Sequence, residues 1–340
     1  MSDDKQRDYL FDNYKALLIV LVVIGHFIDL NYNNNGFLYT LKWLIVSFHM
    51  PAFLFISGYF SKKTASAGTL VRKLIVPYFV YEAIYYLLYT LILHKETKLY
   101  LLFPKFSLWY ILALFFYRLA APYIRKIPHY MVVSIVAGLL IGCSDMPSNF
   151  LSLPRILVFY PFFLAGMAFN RDTLTRLQNK TCRIIASAGI LAFLTFLIFD
   201  PYHKKLSPKI FYGRYNYDYL GQTNIEGMLC RLICYAVGFL MTFGIMLFIY
   251  EKKTFYSYLG GRTMAIYLFH GLIFSCLKFG TNILPNVNTA PETILLLIFC
   301  LGLVWIFSAP PPSIFVGAIA NIHLPRRNKP LLDGVKSNEN

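Results

Sequence analysis

Residues 17–30 read LLIVLVVIGHFIDL and residues 47–60 read SFHMPAFLFISGYF. Each belongs to an apolar run long enough to cross a bilayer, which takes about 20 mostly apolar residues. Working outward from this pair, comparable runs recur near 14–30, 38–60, 70–93, 106–124, 130–143, 154–170, 183–199, 225–250, 255–278 and 293–319. The expected fold class is therefore all-α, a polytopic transmembrane helix bundle of about ten helices. One membrane domain is expected over 14–322, with a cytoplasmic segment at 1–13 and a polar, disordered tail at 323–340. The last run contains Pro310, Pro311 and Pro312, whose missing backbone donors force a kink or a stop.

Composition agrees with this reading. Hydrophobic residues make up 57% of the 340, charged residues only 14%, against about a quarter in ordinary soluble domains. Mean hydropathy is +0.55. Many of the 26 Tyr sit at the ends of apolar runs, where amphipathic rings favour the interface. Asp3, Asp4, Asp8 and Asp12 precede the first run and no small-residue cleavage site follows it, so it is expected to be a retained span.

The net charge of +16 would suggest nucleic acid in a soluble protein, but no basic segment stands apart from the helices. Lys and Arg instead divide about two to one in favour of the segments that lie inside when the N-terminus is inside. That bias predicts both termini in the cytoplasm, with an even number of crossings, in a multi-pass protein of the cell membrane. No nucleic-acid partner is expected. The six cysteines show no metal-ligand spacing, and no metal is implied. Oligomeric state leaves no mark in the sequence.

Ionisable groups inside spans cost roughly 2.5–3.5 kcal/mol each on insertion scales, so each is a functional candidate. They are His26, His49, Glu82, Arg231 and His270. A neutral imidazole is the cheapest strong base to place in hydrocarbon, and its ordinary pKa suits proton abstraction. Asp29 follows His26 by three residues and could hold its tautomer; equally, His26 could simply tie two helices together. His49 precedes Pro51, which frees a backbone carbonyl and points to a cavity between the first two helices. Arg231 is one candidate partner for Glu82. Arg7, Lys15, Arg72 and Lys73 flank the inner ends of the first and third spans. They satisfy the positive-inside rule alone, and they could also clamp a phosphorylated cytoplasmic donor. No nucleotide-binding glycine motif is present. The outer loop over 200–224 is rich in Tyr and Lys and suits sugar contact or a plain interfacial role.

Arg7, Asp8, Asp12 and Lys15, leading into Ile24-Gly25-His26, resemble the start of the integral membrane acyltransferase-3 family. The run FHMPAFLFISGYF at 48–60 resembles its second helix, and Arg72-Lys73, Leu108-Trp109-Tyr110 and Ile266-Tyr267-Leu268-Phe269-His270 add weaker matches. The similarity covers about 7–320 and is closest to the fucose 4-O-acetylase and intercellular-adhesin O-acyltransferase branch. It implies transfer of an acyl group, commonly acetyl from acetyl-CoA, to a hydroxyl of an extracytoplasmic glycan or its lipid-linked precursor. It further implies that His26 is the essential histidine and that Arg7 and Arg72 lie near the donor. Lys73 and Ile75 stand where the family's second loop arginine would be sought, which weakens the clamp. The expected site is therefore His26 as general base, with Asp29 orienting it and His49 or Trp109 positioning substrate or polarising the carbonyl. Arg7, Lys15, Arg72 and Lys73, with Trp109, would bind acyl-CoA. The rival reading is a secondary transporter or flippase for a polysaccharide precursor, with the intramembrane His and Glu as a proton relay.

Overall fold

The computed structural model describes residues 7–200 and 205–322. Expectations for the tail at 323–340 fall outside the described residues. Among the described residues there is no strand. The helices are α1 (Tyr9–Phe27), α2 (Gly36–Tyr59), α3 (Ala67–Ile92), α4 (Trp109–Ile124) and α5 (Tyr130–Cys143). They continue with α6 (Leu153–Ala168), α7 (Lys180–Phe199), α8 (Asn224–Met246), α9 (Thr263–Gly280), α10 (Ala290–Phe307) and α11 (Pro310–Ala320). Eight are long and apolar enough to cross a membrane, and the shorter apolar α4 and α5 complete the ten expected.

Local chemistry sets the ends. Asp8 caps α1, so the helix starts at Tyr9 and carries Asp12 and Lys15 on its first turns, earlier than the expected start at 14. Asn35 caps α2 by accepting from Leu38 N at 2.8 Å. Thr223 with Glu226 and Thr289 with Glu292 form capping boxes on α8 and α10. The expected last span at 293–319 is two helices. α10 stops at Phe307, Ala309 is extended as a residue before proline must be, and the prolines open α11, where no backbone donor is needed. α11 has 11 residues, about 16 Å, half of a hydrocarbon core. It packs against α9 and α3 rather than crossing. The expected span at 255–278 also divides, into a short helix at Ser257–Gly260 and α9.

The tightest pairing is α2 with α6. A Cβ on Gly58 would lie 2.0 Å from the Phe163 carbonyl oxygen, and one on Gly166 would lie 1.9 Å from that of Phe55. Two glycines thus bring the backbones into contact, the usual way to gain dispersion energy between helices in lipid. That contact fixes α2 beside α6, and α1 also packs against α2; residues near the outer ends of all three line a common space.

Candidate active site

That space is a cavity of about 330 Å³ lined by His26, Asp29, His49, Trp109 and Arg155 among others. With the N-terminus inside, it opens toward the outer ends of α1, α2, α4, α6 and α9. Outer loops roof it through Phe106, Tyr212, Arg214 and Tyr215.

His26 sits at the last turn of α1, and its ring lies 4.6 Å from the Phe106 ring and 5.3 Å from that of His270. The Phe106 contact depends on a buried ion pair. Glu82, fully buried on α3, accepts from the backbone N–H of Lys105 at 2.7 Å and from its Nζ at 3.1 Å. The pair pulls the 103–108 loop into the bundle, where Phe106 adopts φ 47° and stacks on Phe274 at 5.0 Å. Positive φ at a bulky residue is strained and persists only where surroundings over-determine it. Glu82 therefore anchors a loop. Its partner is Lys105 and not Arg231, and a carboxylate so locked is a poor proton relay.

Arg231 instead donates to the carbonyls of Gly138 and Tyr215, each at 3.0 Å, tying the outer loop to α5 and α8. The loop's Tyr215 and Arg214 are thereby held over the cavity.

Asp29 lies beyond the end of α1, so the helical spacing to His26 does not apply. No hydrogen bond joins the two among the described residues. Its carboxylate pairs with Lys42 Nζ at 2.8 Å and accepts from the Tyr212 hydroxyl at 2.9 Å. Burial alone would raise this carboxyl, but the Lys42 charge and the two hydrogen bonds hold it below its ordinary value. Burial and the neighbouring Asp29 push the Tyr212 phenol up, so it remains a donor. Lys42 also donates to the Gly25 carbonyl at 2.7 Å, fastening α2 to α1 beside His26. The expected role of Asp29 as the orienter of His26 is thus replaced by a clamp on α2 and the outer loop.

His49 has its ring Nδ1 2.6 Å from the Ile45 carbonyl. A carbonyl only accepts, so Nδ1 carries the proton and Nε2 presents a lone pair. In this tautomer His49 can receive a hydrogen bond from a hydroxyl but cannot polarise a carbonyl, one of the roles expected of it. His270 is fixed likewise by the Ile266 carbonyl at 3.0 Å, leaving a buried Nε2 without a partner near His26. Trp109 stacks on Phe159, and the Arg155 guanidinium lies 5.0 Å from its ring. It belongs to the outer cavity and not to the cytoplasmic end.

Two further cavities continue toward the cytoplasm. A middle one of about 180 Å³ shares Val22, Met50 and Tyr267 with the outer cavity and is otherwise walled by such residues as Ile19, Phe53 and Met264. Ser57 and Tyr110, hydrogen-bonded at 2.6 Å, are among its polar groups. It shares Lys15 with a mouth of about 690 Å³ lined by Arg7, Asp8, Asp12 and Arg262. The three follow one another along α1. Arg7 and Lys15 both pair with Asp12, at 2.5 and 3.0 Å, and Arg262 donates to the Ser308 carbonyl. Arg72 and Lys73, on a π-helical turn at the start of α3, line none of these spaces.

Sequence reasoning missed Lys42, Arg155, Arg214, Lys278 and Arg262. In the sequence the first four read simply as part of the minority of Lys and Arg on the outer side. An arginine in the first turn of the helix after an outer loop was the available signal.

A family model described as an acyltransferase domain, of the acyltransferase-3 family, matches residues 8–309. A curated relative, "Nodulation protein NolL" of Sinorhizobium fredii (strain NBRC 101917 / NGR234), is 44% identical over 69 residues, 19% of this chain and 18% of that protein. The match thus spans under a fifth of the relative's length. No solved structure matches. With nearly all of the helical bundle inside the matched region, the chain belongs to the acyltransferase-3 family.

Proposed function

We propose that the protein transfers an acyl group, most simply acetyl, from cytoplasmic acyl-CoA to a hydroxyl of a cell-surface glycan or its lipid-linked precursor, at the plasma membrane. The observation that carries this reading is the series of adjoining cavities along α1, from the mouth at Arg7 and Lys15 to His26. The eleven residues from Lys15 to His26 rise about 16 Å, comparable with an extended pantetheine arm. The donor's phosphates rest at the mouth near Arg7, Lys15 and Arg262. Its pantetheine arm runs through the apolar middle cavity, and its thioester reaches the floor of the outer cavity.

The acceptor sugar enters from outside. His26 takes the hydroxyl proton as the oxygen attacks the thioester carbonyl, the C–S bond breaks, and the CoA thiolate leaves and recovers the proton from His26. His49 Nε2 accepts from a sugar hydroxyl and orients it, and Tyr212 and Tyr215 offer ring faces to the sugar. His270 packs beside the His26 ring, 5.3 Å away, where Asp29 was expected. The acyl group crosses the bilayer as part of the thioester, so no separate export step is required.

The test uses purified protein in nanodiscs with labelled acetyl-CoA and surface-glycan extract, following thiol release and label transfer, with succinyl-CoA as the second donor. Wild type should release thiol and label the glycan. Neither donor being consumed would overturn the proposal.

A further inference from the structure

We infer that the outer cavity is built for an anionic acceptor, a glycan with a carboxylate or phosphate close to the hydroxyl that is acylated. This rests on reading that cavity as the acceptor site. Four cationic side chains line it, Lys42, Arg155, Arg214 and Lys278, against a single carboxylate, Asp29. Asp29 is already engaged by Lys42 and Tyr212.

The other three cations have no acidic partner among the described residues. Arg155 lies over the Trp109 ring at 5.0 Å, and its guanidinium makes no hydrogen bond there. Arg214 reaches only the Ser148 hydroxyl, at 3.3 Å, and lies over Tyr215 at 5.4 Å. Lys278 lies over Phe274 at 5.8 Å and Phe279 at 5.3 Å.

Two physical facts make this arrangement unusual for packing alone. Membrane proteins disfavour Lys and Arg on the outer face. Charges withdrawn from water are costly unless paired. Half-buried Arg155 and Arg214, with exposed Lys278 at the rim, converge on this space from α6, the outer loop and α9 without an ion pair among the described residues, and a ligand that brings the countercharge accounts for them. The Arg155 guanidinium lies 5.0 Å from the Trp109 ring and donates to no described residue, so its planar fork is available to meet carboxylate or phosphate in two parallel hydrogen bonds. Arg155 is the specificity-determining residue in this account, with Arg214 and Lys278 at the rim.

The experiment measures equilibrium binding to the full chain in nanodiscs, independent of acyl transfer. Probes are a labelled galacturonate oligosaccharide, its neutral methyl ester, and a glycerol-phosphate oligomer. Wild type should bind one or both anionic probes at least tenfold more tightly than the ester, and whichever is tighter identifies carboxylate or phosphodiester as the source. Arg155→Gln should lose about tenfold or more for that probe, the worth of a charged hydrogen-bonded contact, and under twofold for the ester. Arg155→Lys should recover part of the loss. If Arg155→Gln does not yield folded protein by size exclusion, Arg214→Gln and Lys278→Gln should each reduce the preference severalfold. Equal binding of charged and neutral probes by wild type would overturn the inference. So would an Arg155 variant that weakens acetyl-CoA binding and leaves the glycan preference intact. Charge-selective binding without any acyl-CoA consumption would uphold the inference and sink the transfer reaction instead.

Discussion

The mouth and the outer cavity both gather cations, yet they hold them differently. At the mouth, Arg7 and Lys15 share Asp12, Arg171 pairs with Asp8 at 2.5 Å, and Arg262 is spent on the Ser308 carbonyl. In the outer cavity Arg155, Arg214 and Lys278 form no ion pair among the described residues, and the one carboxylate there, Asp29, is taken by Lys42. Charge bias by side of the membrane therefore says where the chain is inserted, and pairing says where charge is available for a ligand. The cytoplasmic face is richer in cations, but the outer cavity holds the more exposed electrostatic demand.

The sharpest way to break this contrast is to remove the base between the two regions. His26→Ala should lower turnover by about 10²–10⁴-fold, the usual worth of general-base catalysis, with little change in KM for acetyl-CoA. Full turnover in a correctly folded variant would contradict it. His26→Ala with a matched size-exclusion profile is the form to assay.

Next comes the anchor that brings the outer loop to His26. Glu82→Gln leaves Lys105 half-satisfied in a buried site, a cost of about 1–3 kcal/mol. A lowered thermal unfolding midpoint together with reduced turnover is expected. An unchanged midpoint would mean the loop is held by packing of Phe106 alone.

A crossed comparison should separate the two cation sets. Arg155→Gln should raise KM for an anionic acceptor about tenfold and leave KM for acetyl-CoA alone. Arg7→Ala should do the reverse and only a few-fold, because its charge is already shared with Asp12. Both variants acting on the same KM would erase the distinction between donor and acceptor ends.

The smallest effect concerns pH. Asp29 is held below its ordinary value, so it stays ionised as pH falls from about 8 to 5, and the Lys42–Asp29–Tyr212 clamp stays intact. Its contribution to stability is present above the carboxyl's unfolded pKa and is lost only as pH falls through the lower folded one. Unfolding followed by tryptophan fluorescence should therefore not occur as pH falls from about 8 to 5, whatever happens to activity over that range. Unfolding over that range would show the clamp titrating.

Much of the fold was legible because bilayer physics is simple: length, apolarity and charge bias predicted about ten crossings, and the prolines at 310–312 marked a break. What was not legible depends on groups distant in sequence meeting in space. Lys105 reaches Glu82 from a loop, and the close approaches of Gly58 to Phe163 and of Gly166 to Phe55 unite α2 and α6. The i to i+3 spacing of His26 and Asp29 misled because α1 ends at Phe27, two residues short of Asp29. His26, His49 and Trp109 were identified and do share one cavity. Arg155 escaped because a charge used to fix orientation was not asked what it faced.

The most direct test reconstitutes the protein in sealed vesicles, with labelled acetyl-CoA only on the side bearing Arg7 and a glycan acceptor only on the other. The account predicts labelled glycan on the far side for wild type and none above background for His26→Ala. Label confined to acceptor on the acetyl-CoA side, or equal labelling by the variant, would contradict transfer through the cavities along α1.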